Sequence, residues 1–126
     1  MKLSNLLIIN AIVALVYGIG ELLIPATMFS LYGVTQSPSA ILMAQYFGLS
    51  LIAIGLLAWF ARNVADSEAQ RAIILALLIS DVIGVIVSGL GTVSGTMSAV
   101  GWSAVGIYLL LALGYAYFQF MKPSAS

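Results

Sequence analysis

The chain has 126 residues, of which 63% are apolar and 6% charged, with a formal net charge of zero. Soluble domains carry about 25% charged residues. Four basic and four acidic side chains cannot cover such a domain, which excludes a soluble enzyme, a nucleic-acid binder and a disordered tail and leaves a one-domain integral membrane protein, residues 1–126.

No charge lies in the 40 residues between Glu21 and Arg62, nor in the 40 between Asp81 and Lys122. A spanning helix needs about 20 apolar residues, and breakers locate four of them. The first span is predicted over 4–24, closed by Pro25. Lys2 and this apolar run resemble a signal peptide, but the run is too long and no small-x-small site precedes Pro25, so it is expected to stay. Its face Asn10, Ala14, Tyr17, Glu21 is polar and small. At about 1.5 Å per residue Glu21 stands about 25 Å above the inner end, and Asn10 about 9 Å. Glu21 can line a site or simply snorkel to water.

Segment 25–37 is long for a hairpin. Met28, Phe29, Leu31 and Tyr32 can form a short interfacial helix, either an anchor or a lid over an outward cavity. The second span is predicted over 39–61, opened by Pro38 and closed by Arg62. Ala44, Gly48, Ile52 and Gly55 form a small-residue face of the kind that packs helices, within a chain or between copies. Gln45 reaches the level of Glu21 and Tyr46 lies near it; Gln45 is the expected partner of Glu21. Ser50 lies about 16 Å deep.

The loop 62–71 carries Arg62, Asp66, Glu68 and Arg71. Asp66 or Ser67 can cap the following helix, and Glu68 suits the positive end of its dipole. The loop reads as a solvated turn or a docking site for a partner. The third span is predicted over 71–90, ending in the Gly-rich stretch 89–95. That stretch follows a helix and has the wrong spacing for a phosphate loop. Asp81 stands about 15 Å deep, near the bilayer midplane. A carboxylate there costs about 2.5–3.5 kcal/mol, so it must face the bundle interior. Asp81, Gly84, Ser88 and Gly91 share one helical face. Asp81 is either a proton, cation or headgroup site, or a buried neutral acid bonded to Tyr108 or Ser50. No base lies at its depth.

The fourth span is predicted over 98–121, closed by Lys122 and Pro123, with a frayed tail at 124–126. Tyr108 lies about 20 Å deep, and Tyr115, at about 9 Å, matches Asn10. The runs are continuously apolar, which favours helices over alternating barrel strands. The expected fold class is therefore all-α, a polytopic bundle of four transmembrane helices.

All four Lys and Arg fall at the termini or in loop 62–71, and none in 25–38 or 91–97. The positive-inside rule then places both termini and the middle loop in the cytoplasm. Trp59, Phe60, Tyr117, Phe118 and Phe120 form the expected inner aromatic belt, and Phe29, Tyr32 and Trp102 the outer one. With no Cys and no His, thiol chemistry, ordinary zinc sites and serine–histidine triads lack their residues. No cofactor, metal or catalytic residue is expected.

The runs GIGELLIP at 18–25, LYGV at 31–34 and QYFGLSLIAIGLLAW at 45–59 resemble the small bacterial four-helix membrane proteins of the DoxX-like kind. The resemblance implies the architecture and a bacterial inner-membrane location. In that family an Arg often precedes the second-span Phe-Gly; here Gln45-Tyr46-Phe47-Gly48 has none.

Three functions remain open. The leading expectation is a non-enzymatic accessory subunit or homo-oligomer. The second is a small proton-coupled carrier or channel using Asp81 and Glu21. The third is a lipid- or quinone-binding subunit of a redox complex. The site candidates are Asp81, Glu21, Gln45, Tyr17, Ser50 and Tyr108; the expected partners are the bilayer, further copies or other membrane subunits, and no nucleic acid.

Overall fold

The computed structural model describes residues 2–121, so the 124–126 tail lies outside it. Helix α1 covers Leu3–Leu23, α2 Pro25–Tyr32, α3 Pro38–Ala61, α4 Ser67–Val93 and α5 Gly101–Ala116, which a π-helical turn extends over Tyr117–Met121. No strand occurs among the described residues. Four helices are long and apolar enough to cross a membrane. The chain is an all-α, multi-pass membrane protein.

Local chemistry sets the helix ends. Pro25 lacks an N–H and disfavours a helical residue before it. Ile24 accordingly leaves helical geometry, and Pro25 restarts the chain as the first residue of α2. Helix α2 ends on Gly33, at φ 66°, with the Val34 amide donating back to the Phe29 carbonyl at 2.9 Å. This left-handed ending is one that glycine adopts without strain. Ser37 caps α3, accepting from the Ala40 amide at 3.1 Å. Asp66 caps α4, accepting from the Glu68 amide at 3.0 Å.

Helix α4 begins before Arg71 and runs past Leu90 to Val93. The glycines at 89 and 91 do not stop it. The Thr92 hydroxyl donates to the Ser88 carbonyl at 2.8 Å, inside the last helical turns. The chain turns instead at Gly95, at φ 85°.

Helix α1 packs along α3, and α4 along α5. Glycines make the first contact close. A Cβ at Gly48 would stand 2.6 Å from the Gly18 carbonyl oxygen, so the two backbones touch directly. The two pairs meet where α1 touches α5, whereas α3 and α4 do not pack along each other. The four long helices thus run α3–α1–α5–α4 around a horseshoe with a gap between its ends.

The core lies at the end of the bundle that carries loop 62–66. There Leu3 and Leu7 of α1, Ala58 of α3, Ile74 of α4 and Tyr115 of α5 bury together. Asn10 donates to the Tyr115 hydroxyl at 2.7 Å and joins α1 to α5 at the upper edge of this plug. Phe118, expected in the interfacial belt, is also in this core. It continues the face of Leu111 and Tyr115, four and three residues apart, which points it inward. Trp59 remains at the surface, with the Arg62 guanidinium 3.7 Å above its ring.

Candidate functional site

Above the plug the helices diverge around a cavity of about 670 Å³. Pockets of about 300–1,000 Å³ hold drug-sized ligands. Val13, Ala14, Tyr17 and Glu21 of α1 form one wall, and Ala104, Ile107 and Tyr108 of α5 another. The roof is α2, through Met28, Phe29 and Tyr32, with Met97 from the α4–α5 loop. The segment read as either an anchor or a lid therefore covers the cavity.

Several bonds hold the roof. The Ser98 amide donates to the Tyr32 carbonyl at 2.7 Å. The Tyr32 hydroxyl is hydrogen-bonded to Tyr17 of α1 and Ser103 of α5. Burial, then the Tyr17 bond, pushes the Tyr32 phenol up to about 12 from its usual 10.

The fourth side is open. Met43 and Phe47 of α3, and Ile83 and Val87 of α4, line the cavity. They are also exposed at the surface, Met43 at 63% and Val87 at 64%. The cavity therefore opens sideways through the α3–α4 gap, toward the acyl chains of a surrounding bilayer.

Five of the six candidates from the sequence line this one cavity: Asp81, Glu21, Tyr17, Ser50 and Tyr108. Gln45 does not. It donates to the Leu22 carbonyl at 3.3 Å and faces a separate shallow surface groove with Tyr46. Its expected bond to Glu21 is replaced by this backbone contact. Ser50 donates to its own helix, at the Tyr46 carbonyl, 3.1 Å away, instead of to Asp81.

Asp81 is 6% exposed, and its Oδ2 has no hydrogen-bond partner. Glu21 is 8% exposed, and its Oε2 is likewise unpartnered. Glu21 is thus turned into the bundle and does not reach out from it. Buried polar atoms are nearly always satisfied; two of the unpartnered ones lie in this cavity, and a third, Gln119 Oε1, lies outside it.

Tyr108 owes its position to Gly84, three residues beyond Asp81. Its ring lies on the Gly84 backbone, where a Cβ would stand 2.7 Å from Cε1. Tyr32 and Gly84 escaped the sequence reading as site residues. Tyr32 reads from the sequence only as part of a segment that is either an anchor or a lid, and Gly84 as helix-packing surface.

No three His, Cys, Asp or Glu converge among the described residues. Among the described residues the lining contains no Lys or Arg. Comparison with protein-family models, curated proteins and solved structures finds no match.

Proposed function

We propose that this membrane protein binds an amphiphile drawn from the bilayer, an apolar body with a small polar group, in the cavity between its two helix pairs. The side opening between α3 and α4 carries the reading. A molecule dissolved in lipid enters there without crossing water, and its polar end finds Asp81, Tyr108 and Glu21 inside. The reading is that of a binding protein without chemistry of its own, alone or as a subunit of a larger complex.

The leading expectation from the sequence, a non-enzymatic accessory subunit or homo-oligomer, rests partly on small-residue faces that pack within a chain or between copies. Those faces are occupied within the chain, Gly48 against Gly18 and Gly84 against Tyr108. The Lys/Arg distribution supports a cytoplasmic loop 62–66 end, and the resemblance to small bacterial membrane proteins supports a bacterial inner membrane.

The test uses N-phenyl-1-naphthylamine, a neutral apolar fluorophore, with purified protein in a non-ionic detergent. Wild type should enhance its emission above that of protein-free micelles. Ser50→Trp should abolish the enhancement by filling the mouth from α3, where Ser50 is surface-exposed and lines the cavity. Equal emission from both proteins would refute the site.

A further inference from the structure

We infer that the occupant is a lipophilic organic cation, an apolar body bearing an ammonium-like charge that Asp81 and Glu21 compensate. This rests on the reading of the cavity as an amphiphile site and adds the charge of the ligand to it.

The argument starts from what the cavity offers. It presents two buried carboxyl groups, each with an oxygen that no donor satisfies. Among the described residues no Lys or Arg lines it. Lys2, Arg62 and Arg71 all lie at the opposite, plugged end. An anionic amphiphile, such as a fatty acid or a phospholipid phosphate, would meet two acids and no base. Like charges at close range in a low-dielectric site repel strongly.

A neutral molecule that only accepts hydrogen bonds fits poorly too. Two of the phenols in reach, Tyr17 and Tyr32, are bonded to each other. The fully buried unsatisfied carboxyl oxygens are acceptors, and a ligand that brings donors or positive charge satisfies them.

A cation answers both needs. It offsets the charge of a carboxylate that would be costly alone in an apolar site. The aromatic walls add to this, because a cation over the face of Tyr or Phe is attracted by the ring. Tyr17, Phe47 and Tyr108 stand on three different helices around the space. The two acids sit at different heights, Glu21 one turn below the Pro25 roof and Asp81 deeper on α4. The cavity thus offers a cation one carboxyl near the roof and another deeper down.

Tetraphenylphosphonium and tetraphenylborate share one shape and differ in the sign of their charge. Equilibrium dialysis of each against the wild-type protein in a non-ionic detergent, with protein-free micelles as blank, isolates charge from fit. The phosphonium should bind roughly tenfold or more tightly than the borate. Asp81→Asn and Glu21→Gln should each erode this preference while keeping the side-chain shape. Circular-dichroism spectra and gel-filtration profiles equal to those of wild type would show that the fold survives each change. Equal binding of the two ions by wild type would overturn the cation assignment and leave the amphiphile reading standing, provided N-phenyl-1-naphthylamine still binds. A preference that persists in both variants would also overturn it, since the charge would then be read elsewhere. Failure of all three probes to bind would overturn both readings. The wild-type comparison decides even if a variant does not fold.

Discussion

Asp81 is the residue where structural and functional roles separate most cleanly. A structural acid would be tied to neighbours, and the sequence proposes Tyr108 or Ser50 for that task. Ser50 bonds its own helix instead, and Asp81 Oδ2 stays unpartnered. Asp81→Leu therefore forfeits little holding the fold together and recovers the insertion cost of the acid, about 2.5–3.5 kcal/mol. Its thermal midpoint in one detergent should equal or exceed that of wild type. A clear fall would mean that the carboxyl holds helices together. Depth arithmetic served well where two residues face each other: Asn10 and Tyr115 match in level and bond at 2.7 Å. It failed for Gln45, because rise along a helix gives height and not direction. Cavity-lining positions on α3 include Met43, Phe47, Ser50 and Ile54, and Gln45 falls off that row.

At the scale of elements, α2 is the part whose role depends most on a few bonds. It is eight residues long, too short to persist by itself in water. Tyr17 and Ser103, through the Tyr32 hydroxyl, clip it over the cavity. The folded state favours the neutral phenol, whose pKa rises from 10 to about 12. The clip therefore contributes below about pH 10 and is lost as pH climbs through about 12. An absorbance titration of wild type minus Tyr32→Phe should isolate one phenol ionising near 12. A difference step near 10 would mean that the hydroxyl is solvated and the clip absent. The long helices were legible from charge gaps, prolines and caps, and Asp66 caps α4 as its position suggested. The end of α4 was not, because Thr92 bonds backward within the helix and carries it through two glycines. The cavity mouth was not legible either. Helix α3 is apolar nearly all round, so its sequence does not distinguish the side facing a partner from the side facing lipid.

Taken whole, the molecule is sealed at one end and roofed at the other. The seal carries loop 62–66, and the roof is α2 with the α4–α5 turn. The absence of native cysteine makes the orientation of these ends directly measurable. A single Cys replacing Ser67 should react with an impermeant maleimide only from the cytoplasmic side of oriented vesicles. Cys in place of Thr35 or Ser94 should react only from the other side. Reaction of both classes from one face would break the four-crossing topology.

The gap between α3 and α4 also changes how affinity has to be counted. A ligand that arrives sideways is already out of water before it meets the protein. The bilayer supplies the hydrophobic transfer, so the site itself needs only to recognise what is left, the polar group and the outline of the apolar body. Occupancy then follows the number of ligand molecules per lipid, and a modest intrinsic preference suffices. At fixed total ligand, adding empty vesicles should drain the cavity by dilution in the membrane plane, even though the volume of water has barely changed.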